Sequence, residues 1–403
     1  MTEARRKKAF ALYTAVIALT GLAMGLSDSV LANYYKDAYN TGAFARGLIE
    51  LPRELPGVLC VVIVSAFAFF GDIRLAALAQ ALAAFGLTVL GAVTPRFGVM
   101  LVFLFIFSLG QHIFMPLSDS IGLALAEEGK AGKALGRLNG ARTAFSMAAG
   151  VIVFIGFRAG FFSFFTPVKV IFLIAAAIFA AIFVLLARLR RIAGEKTAGR
   201  GRFRVVLRSE YGVFYLLASL YGARKQIMLV YGPWVLIELM GFGADNMALL
   251  AIAGAGAGIF FMPAVGRWID RFGTARLMLA EAACFLVIYT AYGVLSARLS
   301  SGALAVTAAV AAAGFAVNMA DRMSAQFGMV RAVYLRSVAV TPSDITPTLS
   351  LGMALDHVLS IAGALLCGWL WREAGPQYVF LFAGALSLCN MAVALTLTKR
   401  KGM

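Results

Sequence analysis

The sequence predicts an all-α integral membrane protein with about 12 transmembrane helices arranged as two six-helix bundles. Hydrophobic residues make up 62% of the 403 residues, and the mean hydropathy is +0.88. A water-soluble core cannot hide that much apolar surface, so lipid must solvate much of it. Apolar stretches near the ~20 residues that span a bilayer recur along the chain. The longest polar interval, 188–208, divides them six and six.

The predicted domains follow from this division. Residues 1–189 are expected to form the N-terminal bundle, 190–208 a basic cytoplasmic linker, and 209–403 the C-terminal bundle. The predicted spans of the first half are Phe10–Tyr34, Ala43–Phe70, Leu75–Val93, Phe97–Ala126, Leu135–Phe157 and Pro167–Leu189. Those of the second half are Tyr211–Leu239, Asn246–Trp268, Arg276–Ala297, Ala303–Arg331, Ile345–Trp371 and Tyr378–Leu397.

The net charge of +17 is distributed as membrane topology requires, not as a nucleic-acid-binding face. With the N-terminus inside, the loops and tails on its side carry 24 Lys and Arg, against 7 on the other side. We therefore expect a multi-pass protein of the inner or plasma membrane with both termini in the cytoplasm. All four cysteines fall in apolar runs and the two histidines lack metal-ligand spacing, so we expect no disulfide framework, metal or cofactor.

One loop carries a recognisable motif. Between the eighth and ninth spans the chain places Gly266, Asp270, Arg271, Gly273 and Arg276 in the pattern Gly-x-x-x-Asp-Arg-x-Gly-x-x-Arg. This resembles the cytoplasmic gating loop of the major facilitator superfamily, at the position of that family's second-half copy. Glycines allow the tight reversal, and the arginines can stay in the cytoplasmic interface. The resemblance implies two six-helix bundles that give a midplane site access to each side in turn.

The sequence departs from this family in two places. The first-half copy of the loop reads Gly71-Asp72-Ile73-Arg74, with Gly and Asp adjacent. The Gly-Pro pair typical of the family's drug/proton antiporters is missing from 140–150, and the fourth span contains no Arg. These departures weigh against drug efflux.

Ionisable residues inside the predicted spans identify the candidate site, because each costs at least ~2.5–3.5 kcal/mol at bilayer depth. Asp28, Glu50 and Glu54 share the outer or middle level, with Arg53 as their nearby cation. At least one of these acids is under-compensated, which favours a role in proton coupling. The alternative is a fixed salt bridge that joins the first two spans.

Arg224 and Lys225 are adjacent near the middle of the seventh span, so at least one should face the transport cavity. A cation there can anchor a carboxylate or phosphate. The alternative is pairing with Asp28 or Glu50 across the halves. The predicted substrate-binding residues are Arg224, Lys225, His112, Tyr221, Tyr231 and Arg142.

The remaining charged residues are predicted to form a buried network. Its members are Arg53, Asp119, Asp321, Arg322, Asp356 and His357. Asp119 and Arg142 lie at one level and are expected to pair. Arg322 is expected to pair with Asp356 or, failing that, His357 with Asp321.

These observations predict a monomeric secondary active transporter, a symporter or antiporter and not an enzyme. Its substrate should be a small polar anion or zwitterion, its coupling ion the proton, and its surroundings the lipid bilayer, with no nucleic-acid partner. No Walker loop is present, so ATP does not drive transport within this chain. A multidrug or amphiphile exporter of the same superfamily is the alternative. A membrane enzyme or a non-transporting receptor is a remote one.

Overall fold

The structure is a computed structural model that describes residues 2–67, 70–127, 131–194, 206–341 and 344–400. Within these ranges the regular structure is helical, and no strand occurs. Residues 195–205 of the predicted basic linker lie outside the described ranges, so the linker stays a prediction.

The helices of the first half follow the predicted apolar stretches closely. They are α1 (Glu3–Asp28), α2 (Leu31–Tyr39), α3 (Ala43–Ala66), α4 (Asp72–Ala92), α5 (Phe97–Leu125), α6 (Ala131–Arg158) and α7 (Val170–Ala193). Only Ser29 and Val30 separate α1 from α2, so the two helices make one predicted span. The first half therefore supplies six spans, as predicted.

The second half also supplies six spans, two of them interrupted. Its helices are α8 (Gly212–Gln226), α9 (Gly232–Trp234), α10 (Ala244–Phe272), α11 (Thr274–Ser300), α12 (Ala308–Ser324), α13 (Met329–Val338), α14 (Ile345–Glu373) and α15 (Pro376–Arg400). π-helical turns, Ile227–Tyr231 and Val235–Leu239, flank α9 and make one span with α8. A 3-10 turn, Ala325–Gly328, joins α12 to α13.

In the described parts of the chain, nine segments are long and apolar enough to cross a membrane by length and composition. The remaining spans are α3, which contains Pro52 and Pro56, and the two interrupted spans of the second half. Charged residues interrupt the apolar run of α3, and the irregular turns divide the other two spans into helices of at most 17 residues. Irregular backbone at membrane depth is tolerated where protein or a water-lined cavity surrounds it.

Cα positions group the chain into two compact units. Unit 1 comprises Met1–Asn40, Pro52–Phe203 and Ala244–Ile252, and unit 2 comprises Thr41–Leu51, Arg204–Gly243 and Ala253–Met403. The grouping divides α3 at Pro52 and α10 after Ile252. Because it cuts within helices, it does not test the predicted bundle boundaries, which stay predictions.

The two loops that the motif analysis singled out share one backbone conformation. Gly71 precedes α4 with φ 78° and ψ 158°, and Gly273 precedes α11 with φ 77° and ψ 164°. This region of φ and ψ is essentially restricted to glycine. The first-half glycine thus has the same backbone conformation although the spacing of its motif differs, and at Gly273 the turn leaves a single residue between the end of α10 and the start of α11.

Close helix contacts within each unit depend on small residues. In unit 1, a Cβ on Gly21 of α1 would lie 2.3 Å from the backbone oxygen of Arg142 in α6. In unit 2, a Cβ on Gly222 of α8 would lie 2.4 Å from the backbone oxygen of Asp356 in α14. Such distances are below van der Waals contact, so only glycine permits these approaches. Both contacts fix a helix that carries candidate site residues.

Three cations that the topology analysis counted as loop charges are buried or half-buried. Arg46 and Lys169 are 3% and 1% exposed, and Lys169 donates from Nζ to Thr94 Oγ1 over 2.7 Å. Arg331 belongs to α13, because the helical chain continues past the predicted end of the tenth span. Arg46 and Arg331 therefore lie within helices, whereas Lys169 lies in the loop before α7, as predicted, with its side chain buried.

Candidate functional site

The seventh span changes its helical form directly after its two adjacent cations. Arg224 and Lys225 occupy the last turn of α8, and π-helical turns begin at Ile227. π-Helical turns widen the backbone and frequently occur at functional sites. Arg224 is buried and Lys225 is half-buried, so the two side chains enter different environments, as the sequence predicted for neighbours on one helix.

Arg224 pairs with an acid of its own unit. Its Nη2 lies 3.0 Å from Oε1 of Glu281 on α11, and Nη1 of Arg331 on α13 reaches the same oxygen at 3.4 Å. Two cations therefore share one carboxylate. The Arg224 guanidinium also lies 3.5 Å from the ring centroid of Phe285. This pair supplies Arg224 with an acid from within unit 2.

The ring of Tyr221 lies against both guanidinium groups. Its centroid lies 3.7 Å from the Arg331 guanidinium carbon and 5.4 Å from that of Arg224. A tyrosine face attracts cations through its quadrupole, so the ring holds both guanidinium groups in place. We call Arg224, Glu281, Arg331 and Tyr221 the arginine cluster.

Lys225 binds a second acid on a different helix. Its Nζ lies 3.2 Å from Oδ2 of Asp356 on α14. Ser360 donates to the other carboxylate oxygen, Oδ1, over 3.3 Å and to the backbone oxygen of Gly222 over 3.0 Å. The close α8–α14 contact at Gly222 thus places Asp356 beside Lys225.

Arg322 has a different partner from the one predicted. Its Nε donates to Oδ1 of Asn318 over 3.0 Å, and the Asn318 amide donates to the Tyr292 hydroxyl over 2.8 Å. Lys225 occupies Asp356, so the predicted pairing of Arg322 with Asp356 is wrong. The prediction rests on equal depth along the two helices, which does not say in which direction each side chain points.

Asp321 is 1% exposed, and neither of its carboxylate oxygens has a hydrogen-bond partner among the described residues. The alternative prediction, a contact between His357 and Asp321, is therefore also wrong. Directly after this region the helix tightens into the 3-10 turn that joins α12 to α13. Charged residues and a break in the helix coincide here, as they do in the seventh span.

Asp28 ends α1, and both of its carboxylate oxygens accept a hydrogen bond from Nε2 of Gln111, over 3.2 and 3.1 Å. Arg53 is the cation whose charge acts on it. Next to Arg53, Ser108 donates to the Arg53 backbone oxygen over 2.6 Å. In unit 1, Asp28 is thus a carboxylate with hydrogen-bond donors and a cation nearby.

Polar groups of α5 contact the two predicted substrate-binding residues of unit 1, His112 and Arg142. Nδ1 of His112 lies 2.9 Å from the backbone oxygen of Ser108, which fixes the imidazole against its own helix. Nη2 of Arg142 donates to Ser118 Oγ over 3.1 Å, and Ser118 donates to Asp119 Oδ1 over 3.5 Å. The predicted Asp119–Arg142 pair is thus bridged by a serine hydroxyl instead of a direct contact.

Glu50 belongs to unit 2, where Arg46 one helical turn earlier forms a buried ion pair with it. The Tyr231 hydroxyl, also in unit 2, donates to the backbone oxygen of Ala364. Glu54 is buried and lies in unit 1. The three predicted coupling acids, Asp28, Glu50 and Glu54, are thus divided between two units.

The gating motif lies at the α10–α11 turn. Gly266 is within α10, Gly273 forms the turn itself, and Arg276 lies in the first turn of α11. Asp270 and Arg271 are exposed, and the Arg271 guanidinium carbon lies 5.2 Å from the Phe272 ring centroid. His357, next to Asp356 on α14, is half-buried.

Sequence reasoning missed two members of the arginine cluster. Glu281 interrupts an apolar run early in the ninth span, which was its only signal. Arg331 was placed in a loop because the polar residues after it look like a span end. An extension of the tenth span by two turns would have recovered it.

Comparison with known proteins agrees with this architecture. A sequence family described as "Major Facilitator Superfamily" matches residues 13–334. A search of curated proteins found no match. Among solved structures, the nucleoside transporter NupG superposes with a TM-score of 0.73 at 13% identity, covering 97% of this chain and 99% of that one.

Two other solved structures show the same fold. A bacterial homologue of the iron transporter ferroportin has a TM-score of 0.72 at 13% identity, over 98% of this chain and 99% of that chain. A D-xylose-proton symporter has a TM-score of 0.66 at 15% identity, over 95% and 96%. Together with the sequence match over most of the chain, these likenesses identify the protein as a member of the major facilitator superfamily.

Proposed function

We propose that this chain is a proton-coupled secondary transporter of a small polar organic anion or zwitterion, working by alternating access. The observation that carries the substrate class is the arginine cluster, in which Arg224 and Arg331 share the single carboxylate of Glu281. Nε and Nη1 of Arg224 are buried with no hydrogen-bond partner among the described residues. A buried cation with unused donors favours an anionic ligand group, because such donors are costly to leave unpaired.

The charges around the arginine cluster also favour a negatively charged substrate. The arginine cluster and the Lys225–Asp356 pair together contain three cations and two acids. An arriving carboxylate or phosphate would balance the remaining positive charge. A cationic drug would meet an excess of like charge, which disfavours the multidrug alternative.

Proton coupling requires a carboxyl group that can exist in both protonation states at bilayer depth. The sequence proposes Asp28, Glu50 and Glu54 for this role. Gln111 donates to both carboxylate oxygens of Asp28, and Arg46 forms an ion pair with Glu50. All three acids keep their proposed role, and Asp321, whose carboxylate oxygens have no hydrogen-bond partner among the described residues, joins them as a candidate.

Reconstitution into proteoliposomes tests this function. We expect counterflow of carboxylates, amino acids or phosphorylated small molecules, and accumulation when a pH gradient is imposed. Arg224→Gln should abolish binding of the anionic solute, whereas Arg298→Gln, an exposed arginine at the far end of α11, should not. Transport of cationic dyes alone, or an Arg224→Gln variant with unchanged affinity for the anion, would reject the proposed substrate class.

A further inference from the structure

The buried position of Asp321 favours the neutral, protonated carboxyl group over the charged carboxylate. Its side chain is 1% exposed, and neither Oδ1 nor Oδ2 accepts a hydrogen bond from any part of the chain that the structure describes. An ionised carboxylate in such a place gives up its hydration and receives no donor in return. A protonated carboxyl group avoids most of that cost.

The groups that face Asp321 come from its own helix and from α8 and α11. On α12, Arg322 acts on it through its charge, but its Nε is already bonded to Asn318. On α11, Tyr292 accepts the hydrogen bond of Asn318. Tyr289, also on α11, has a buried hydroxyl without a hydrogen-bond partner within the described ranges, and the Asp321 charge acts on it.

From α8, the charge of Arg224 also acts on Asp321. Only its Nη2 is engaged, by Glu281, while Nε and Nη1 have no described partner. Glu281 would keep Arg331, 3.4 Å away, if Arg224 turned elsewhere. Arg224 is therefore a buried cation with two unused donors, its partner Glu281 has a second arginine, and the buried Asp321 has no donor among the described residues.

Resting on the function proposed above, we propose that Asp321 is a proton-binding residue whose protonation state controls the substrate anchor Arg224. In the arrangement described here, Asp321 is neutral and Arg224 binds Glu281. When the carboxyl proton leaves to water, the new carboxylate attracts the free donors of Arg224, and Arg331 alone neutralises Glu281. The guanidinium that would bind the anion of the substrate is thus held differently in the two protonation states.

Infrared spectroscopy can test this without a known substrate. Protein reconstituted in lipid would be titrated from acidic to alkaline buffer, and the C=O stretching band of protonated carboxyl groups recorded by difference spectroscopy. We expect a band that disappears as the pH rises, is absent in Asp321→Asn, and persists in Asp356→Asn, whose parent carboxylate is already paired with Lys225. Asp321→Glu should keep the band at a shifted frequency, so the assignment does not depend on one variant folding.

The proposal is overturned if Asp321→Asn retains the full titrating band or if Asp321→Glu leaves its frequency unchanged. A wild-type protein without any titrating band would overturn it equally, because Asp321 would then be ionised throughout. These outcomes are separable from failure of the proposed function. A protein that moves organic anions in liposomes but lacks the Asp321 band would keep its transporter assignment and lose only this proton site.

A second titration tests whether the protonation of Asp321 is coupled to Arg224. In the Arg224→Lys variant, one guanidinium with five donors is replaced by an ammonium with three, and the charge is kept. We expect the pH at which the Asp321 band disappears to differ from the wild-type value. The matched variant Arg298→Lys should leave it unchanged. An Arg224→Lys titration identical to wild type would separate Arg224 from Asp321 and refute the coupling.

Discussion

Nη2 of Arg224 lies 3.0 Å from Oε1 of Glu281, and both side chains are buried. Arg331 approaches the same oxygen at 3.4 Å. A single carboxylate thus pairs with two guanidinium groups in a region where unpaired charge is costly. Loss of Glu281 should therefore destabilise the protein more than loss of either arginine.

Glu281→Gln should destabilise the protein strongly, because it leaves both arginines without their shared acid. Loss of a buried partner costs about 3–5 kcal/mol. Arg331→Gln should cost less, since the Arg224–Glu281 pair survives it. Unfolding monitored by intrinsic fluorescence in detergent would compare the two variants. Equal losses would mean that Glu281 does not hold both cations.

The α10–α11 turn offers a prediction with an internal control. Gly273→Ala places a Cβ on a backbone with φ 77° and ψ 164°, a region essentially closed to other residues, at a cost of about 1–3 kcal/mol. Gly266 belongs to the same motif but lies within α10, where an added Cβ meets nothing within 4 Å. Gly266→Ala should therefore be neutral or stabilising by roughly 0.5–1 kcal/mol, since alanine is the better helix former. Thermal unfolding of both variants checks this difference, and similar losses in the two would contradict it.

The helices were predictable because hydropathy and length decide whether a segment crosses a bilayer. Ten spans were located to within about four residues at each end, whereas the first begins at Glu3 instead of Phe10 and the tenth ends at Val338 instead of Arg331. Interruptions were not foreseen. The chain after Gln226 and the chain after Ser324 are as apolar as their surroundings, so nothing in composition marks the π-helical and 3-10 turns.

Partners of buried charges were harder to predict than their depth. The rise per residue places Asp356 level with Arg322, but it does not say which face of α14 Asp356 occupies. The glycine contact between Gly222 and Asp356 turns that face toward α8, and Lys225 receives the carboxylate. A backbone approach of this kind depends on helix packing, which hydropathy does not encode.

Membrane topology gives a prediction that does not depend on the substrate. The 24 to 7 distribution of Lys and Arg read from the sequence predicts that the α10–α11 turn lies in the cytoplasm and the end of α11 outside. In a background where the exposed Cys284 and Cys389 are replaced by Ser, Arg267→Cys should react with an impermeant maleimide only after the cell is opened. Ser300→Cys should react in intact cells. The reversed pattern would invert the assigned orientation, and labelling of both positions from one side would contradict the helix count.

The Lys225–Asp356 pair gives the most discriminating prediction, because Arg322 supplies a matched control. Nζ of Lys225 lies 3.2 Å from Oδ2 of Asp356, whereas Arg322 is bonded to Asn318. Residues in contact show coupling energies of about 0.5–3 kcal/mol in double-mutant cycles, and residues without shared partners add. Lys225→Ala with Asp356→Ala should therefore cost less than the sum of the single changes.

Arg322→Ala with Asp356→Ala should instead be close to additive. Free energies of unfolding of the five variants in detergent measure both cycles, and anion counterflow in liposomes reports on activity in parallel. Coupling in the Arg322 cycle without coupling in the Lys225 cycle would show that Asp356 pairs with α12, against the structure. If the Lys225 cycle is coupled in stability and both double variants still transport, the pair holds α8 against α14 and leaves the arginine cluster as the substrate anchor. Loss of transport in a stable Lys225→Ala, Asp356→Ala double variant would instead place this pair on the substrate path.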